Sequence, residues 1–297
     1  MLSIELAVAT PAFLDLTFVG LEALPAPGEE RFAGQLLRSP GGGAITAVAA
    51  ARLGLQTALV APLGSDLGGE YVRRELEGEG VAVAGFRTKR TPETVVMPVG
   101  ETRTMVTVDP GVRARASDVA ALTPVAIAAN LDQLDLLPNG TRSYLTCGDD
   151  DARAFSRQLP PKPVGARALF LNAPDALVLT NTDTPEAAAE RLGDWVATVV
   201  ITLGAERAIA VTGGRHVAIP DFDTGAVVDT TGDRDLLCAA YAWADLRGAD
   251  EDERLSWAQL YSRLAMGVPT ATGGAISEER LLEEGAKRGL SRPSRYA

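Results

Sequence analysis

Asp229-Thr230-Thr231-Gly232-Asp233-Arg234-Asp235, running on into Leu236-Leu237-Cys238-Ala239-Ala240-Tyr241, is the stretch from which the rest of this chain can be read. A polar, glycine-bearing turn that feeds a helix leaves the first backbone N–H groups of that helix without partners. Together with the positive end of the helix dipole they suit an anion such as a phosphate. A carboxylate at the lip of the turn, close to both a phosphate and a hydroxyl, is placed to take the hydroxyl's proton as its oxygen attacks phosphorus. Asp235 is the candidate base. The helix that follows is apolar nearly all round, with Tyr241 and Trp243, and reads as core packing.

The 297 residues, 46% of them hydrophobic, can bury a large core, enough for one large α/β domain or two ordinary ones. A net charge of −11 with no basic run argues against nucleic acid as a partner. Two cysteines far apart, Cys147 and Cys238, make neither a disulfide framework nor a metal cluster, and read as buried small residues. Met1 to Leu24 carries Glu5 and Asp15 and has no basic leader, and no run of 18 apolar residues follows, so a cytoplasmic protein is expected. The single histidine, His216, follows Gly213-Gly214 in a short surface hairpin, which excludes a histidine-rich metal site. No Gly-x-x-x-x-Gly-Lys-Ser/Thr stretch is present, and the pattern of a P-loop is absent.

Strand-like and helix-like segments alternate with glycine-marked breaks, the pattern of a parallel sheet wrapped by helices. Strands are expected at Ser3–Ala9, Thr57–Leu63, Ala168–Leu171, Ala176–Leu179, Thr198–Leu203 and Arg207–Val211. Helices are expected at Ala44–Leu53, Gly69–Glu77, Pro185–Leu192, Leu236–Leu246, Asp252–Met266 and Glu278–Arg288. Phe13–Val19 with Glu30–Leu37, and Thr94–Val99 with Thr102–Val108 turning at Gly100-Glu101, break this rhythm and read as a small β flap over one edge of the sheet.

A second glycine cluster, Pro40-Gly41-Gly42-Gly43, leads into Ala44-Ile45-Thr46-Ala47-Val48. Glycines before a helix let a ligand approach the backbone, although the spacing fails as a dinucleotide fingerprint. Alone, the cluster could be a plain glycine turn opening a packed helix, and Asp15 alone would more often be a solvated loop acid.

The order of these motifs resembles the ribokinase-like (PfkB) carbohydrate kinases. The opening stretch is similar to that family's Asp-Thr-x-Gly-Ala-Gly-Asp signature, with Asp233-Arg234 in place of Ala-Gly. Gly41-Gly42, Arg52-Leu53-Gly54 and Gly64-Ser65-Asp66-Leu67-Gly68-Gly69 resemble its amino-terminal signature, except that Ile45 or Thr46 stands where a sugar-contacting Asn belongs. The resemblance implies a three-layer α/β sandwich, with a mostly parallel central sheet flanked by helices, formed as one domain over 1–297 with flap strands from about 13–37 and 94–108.

It further implies transfer of a phosphoryl group from ATP, with magnesium, to a primary hydroxyl of a sugar or nucleoside. Asp235 would be the general base, and Gly232, Asp233, Arg234 and Asp235 the anion hole. Asp15, Gly41, Gly42 and Thr46 would hold the acceptor, and Asn181, Thr202, Gly204, Thr272 and Gly274 the nucleotide side. Asp229 and Thr231 would face a potassium ion that orders the loop. Asn181 keeps the first residue of the family's Asn-x-x-Glu motif, whose Glu is missing there, and Arg207 replaces the second glycine of Thr-x-Gly-x-x-Gly. These departures leave a second reading open: a relative that binds a sugar or nucleotide without transferring phosphate. Flaps that pair edge to edge would make a homodimer.

Overall fold

The computed structural model describes residues 3–99, 102–204 and 207–294. Among these, nine strands form the central sheet in the order Arg215–Val217, Ala208–Thr212, Thr198–Thr202, Ala166–Asn172, Arg142–Thr146, Ala126–Asn130, Leu6–Ala9, Thr57–Val60 and Ala82–Ala84. All neighbours are parallel except at the Thr198–Thr202 edge, where the last two strands run antiparallel through the Gly213-Gly214 hairpin expected at His216. The inner strands are continuous apolar runs such as Leu6-Ala7-Val8-Ala9 and Thr57-Ala58-Leu59-Val60, because helices cover both of their faces.

One helical layer packs Gly43–Arg52, Asp233–Leu246 and Glu251–Ala265 around Tyr241, Trp243 and Trp257, and the other uses Ala173–Thr180 and Pro185–Gly193. The three-layer expectation holds. Cys147 and Cys238 are both buried and free, as expected. No helix among the described residues is long and apolar enough to cross a membrane.

The flap is a four-stranded sheet in the order Gln35–Gly42, Ala12–Val19, Glu93–Val99 and Thr102–Val108. Its two hairpins are joined by parallel pairing of Leu14–Thr17 with Glu93–Val96. The second flap strand begins later than expected, at Gln35, and includes the glycine cluster, with Gly41 opposite Phe13 and Gly42 opposite Ala12. The glycines are therefore the end of a strand, and Glu30 to Gly34 lies outside it. The turn expected at Gly100-Glu101 lies outside the described residues.

Two central strands, Ala126–Asn130 and Arg142–Thr146, were not expected. They are short, and Ala126-Ile127-Ala128-Ala129 is alanine-rich, so β propensity is weak and the neighbouring strands impose the pairing. Ala176–Leu179, expected as a strand, lies inside the helix Ala173–Thr180: Asn172 caps its start by accepting from the N–H of Asp175 at 2.8 Å, and Pro174 sits in the first turn.

Candidate active site

The carboxyl ends of the parallel strands meet the roots of the flap, which is where open α/β sheets bind ligands. Leu6–Ala9 passes through Thr10-Pro11 into the flap, and the flap returns through Gly42 into the helix Gly43–Arg52. Gly42 has φ +57°, and the N–H of Gly43 donates to the carbonyl of Pro11 at 2.8 Å. These two chain crossings stand beside the start of the helix Asp233–Leu246.

Gly232 precedes that helix at φ +76°, and a Cβ there would lie 2.6 Å from the Ala271 Cβ, so no other residue fits. Asp233, Arg234 and Asp235 form the first turn, where backbone N–H groups have no carbonyl four residues back within the helix. The half-buried Asp235 carboxylate accepts a hydrogen bond from Thr46 Oγ1 at 3.1 Å. Burial raises its pKa to about 6, against the opposing pull of the Arg234 guanidinium and the Thr46 hydroxyl. Asp235 and Arg234 line a cavity of about 160 Å³ together with Phe13, Gly42, Asn130 and Thr146.

Asp15 comes from the flap strand Ala12–Val19 and is buried. Its pKa rises to about 7, first because of burial and then because of the negative charges of Asp235 and Asp229. Its carboxyl group lies across the bare backbone of Gly41; a Cβ on that residue would stand 2.2 Å from all three carboxyl atoms. Gly41 therefore makes room for the acid, and that is the backbone approach its position serves.

The two departures in the turn are both accounted for by side-chain partners. The Arg234 Nη1 donates to Asp175 Oδ2 at 2.7 Å and to the Cys147 carbonyl. Asp233 points towards the helical layer, accepting from Ser262 Oγ at 2.5 Å and from the Thr202 hydroxyl. Thr46, expected to bind the acceptor, donates its hydroxyl to the candidate base.

The nucleotide-side residues divide. Thr202 ends its strand and touches Asp233, whereas Gly204, at φ +91°, is exposed with nothing within 4 Å of a Cβ; Ala205-Glu206 lie outside the described residues. Asn181 does not join the group: it is the exposed left-handed residue that ends the helix Ala173–Thr180, carried about 13.5 Å along its axis from Asn172 at about 1.5 Å per residue. Asn172 and Asp175 are the residues at the sheet end. They repeat the Asn and acid three apart, with Asp for Glu, and the mistaken strand at Ala176–Leu179 hid them.

Thr272 is buried, and the carbonyls of Thr272 and Ala275 accept from Arg52 Nη1 at 2.8 and 2.5 Å. Gly274 serves packing: a Cβ there would lie 1.9 Å from the Ala265 carbonyl oxygen. Asp229 fastens the turn to the same loop, accepting from the N–H groups of Thr231 at 2.8 Å and Thr270 at 2.9 Å. Thr231 Oγ1 is buried without a hydrogen-bond partner, the orphaned oxygen a monovalent cation could take. Among the described residues no group of three or more His, Cys, Asp or Glu is arranged to hold a metal ion. A second cavity of about 220 Å³, between Tyr71, Glu79 and Thr272, is bordered by the Arg52–Glu79 ion pair and contains no candidate reacting group.

Residues 17–277 match the model of the pfkB family carbohydrate kinases. Ribokinase of Bacillus subtilis (strain 168) is 27% identical over 279 residues, covering 87% of this chain and 92% of that protein. A crystal structure of ribokinase from Cryptococcus neoformans in complex with ADP superposes with a TM-score of 0.76 at 18% identity, over 96% of this chain and all of the other. Arabidopsis thaliana ribokinase complexed with ribose and ATP gives 0.73 at 21% identity, over 95% and 98% of the two chains. With the family model matching residues 17–277, most of the chain, the chain belongs to the PfkB family of carbohydrate kinases.

Proposed function

We propose that this chain transfers the γ-phosphoryl group of ATP to a primary hydroxyl of a sugar or nucleoside, with Asp235 as general base. The observation that carries the reading is the position of Asp235, in the first turn of a helix and facing a cavity it shares with the flap root, with burial holding its pKa at about 6. At pH 7 such a carboxyl is mostly ionised yet still basic enough to accept a proton.

The step is balanced within the site. The acceptor O–H proton passes to Asp235, the alcohol oxygen bonds to the γ-phosphorus, and the bond from that phosphorus to the bridging oxygen breaks to release ADP. Backbone N–H groups at the start of Asp233–Leu246 face the charge that develops on the phosphoryl oxygens. Asp15, with two acceptor oxygens lying over Gly41, holds neighbouring hydroxyls of the acceptor and fixes its register.

Magnesium supplies charge neutralisation on the nucleotide phosphates. With Asp175 engaged by Arg234 and Asp229 by backbone N–H groups, the ion would be held largely by phosphate and water, which suits its preference. Potassium, if used, would meet Thr231 Oγ1 beside Asp229. The bound ADP of the Cryptococcus ribokinase and the ribose and ATP of the Arabidopsis enzyme support a nucleotide and a sugar as the two ligands.

The binding-only reading rests on four departures, at Asp233, Arg234, the position of Thr46 and the missing Glu after Asn181; of these, the Asp233 and Arg234 side chains are each engaged by protein partners. The exposed flap edge Thr102–Val108, with Met105, Val106 and Val108 open to solvent, supports a homodimer formed through the flap. The test is a screen of sugars and nucleosides with ATP and magnesium, using Asp235→Asn as the blank. Transfer by the natural chain and none by the variant is expected; equal rates would remove Asp235 from the mechanism.

A further inference from the structure

We propose that Arg103, on the edge strand of the flap, is a further catalytic residue whose guanidinium contacts the phosphoryl group in transit. The inference deepens the kinase reading and rests on it.

Arg103 lies at the start of Thr102–Val108, and its side chain crosses from the flap to the catalytic turn, where Nη1 donates to Thr230 Oγ1. Its Nε is buried and has no hydrogen-bond partner. A buried N–H left unpaired is unfavourable, so this donor has capacity for a further acceptor. The acids whose charges it senses are already engaged: Asp229 by the N–H groups of Thr231 and Thr270, Asp233 by Ser262 and Asp175 by Arg234.

Arg234 approaches the same place from the helix. It lowers the pKa of Arg103, after burial, which is the larger cause. Two guanidinium groups, one from each side of the cleft, thus converge on the turn, and one of them keeps a free donor. A phosphoryl group has the charge and the planar set of oxygens that a guanidinium fork recognises, and it is what the proposed reaction brings to this turn.

The test uses thermal melting of the full chain with magnesium and ADP, then with aluminium fluoride added as the probe in place of the transferred group. For the natural chain, ADP should raise the melting temperature and aluminium fluoride should raise it again. Arg103→Gln should keep the ADP response and lose the second increment, and Arg103→Lys, a point charge without the fork, should keep part of it. In turnover, Arg103→Gln should lower kcat about 100-fold with KM for ATP changed less than about 3-fold, the signature of a contact made in the transition state.

A purely structural role would instead lower the ligand-free melting temperature and weaken the ADP response together. A full aluminium fluoride increment in Arg103→Gln, no increment in the natural chain, or a kcat within about 3-fold of natural overturns the proposal while leaving the kinase reading intact. Absence of any ADP response in the natural chain overturns both.

Discussion

Arg234 and Asp175 are joined by a hydrogen-bonded ion pair of 2.7 Å that ties the first turn of the helix Asp233–Leu246 to the start of the helix Ala173–Thr180. Arg234 stands where the family signature has glycine, and its partner is an acid whose pKa burial raises in spite of that guanidinium. Arg234→Gly would leave the Asp175 carboxylate buried with its nearest cation gone. We expect a loss of about 1–3 kcal/mol in unfolding free energy at neutral pH by denaturant titration, and a partial recovery in the double variant Arg234→Gly, Asp175→Asn. If restoring glycine stabilised the chain, the pair would not be a fastening.

The pH dependence of transfer should follow Asp235. With a pKa of about 6, the carboxyl loses its base function on acidification, so kcat should rise about tenfold per pH unit below that value and level off above it. Initial rates between pH 4.5 and 8.5 check this. A profile with no inflection near pH 6 would place the proton elsewhere.

Asp15 predicts the opposite sign for stability. Its folded pKa, about 7, lies above its ordinary 3.8. The folded state therefore holds a proton that the unfolded chain releases, and the contribution to stability is complete below about pH 3.8 and lost as pH rises through about 7. Asp15→Asn should raise unfolding free energy at pH 8 by about 1–3 kcal/mol and flatten this part of the curve. The same variant should raise KM for the acceptor far more than KM for ATP. An acceptor KM that stayed the same would leave Asp15 as a structural acid.

The flap edge gives a fourth test. Val106, on the strand Thr102–Val108, is 58% exposed, and a charge there would oppose edge-to-edge pairing. Val106→Lys should shift the chain from dimer to monomer in sedimentation while leaving its melting temperature within about 2 °C. Sedimentation of the natural chain as a monomer would discard the dimer.

Much of this could be read from sequence because the informative residues act locally. The Gly232 turn, the start of the helix Asp233–Leu246 and the alternating strands and helices are all written in short-range pattern. What escaped depended on the sheet. Ala126–Asn130 and Arg142–Thr146 are strands through their neighbours, and the Asn130–Thr146 hydrogen bond at the cavity edge exists only once they lie side by side. Asn172 and Asp175 were lost because Ala176-Leu177-Val178-Leu179 has the composition of a strand, while the side-chain cap on Asp175 and the proline at Pro174 make it a helix. The partnership of Arg234 with Asp175, 59 residues apart, has no short-range sequence signal at all.

Asp15 and Gly41 belong to the flap sheet and Asp235 to the layer beneath it, with the chain crossing between them at Thr10-Pro11 and again at Gly42-Gly43. Under the proposed reaction, an acceptor reaching both acids would span this crossing and bridge the two layers. Water, small enough to meet only one acid, would on the same reading be a poor acceptor, and size alone would set an alcohol apart from solvent.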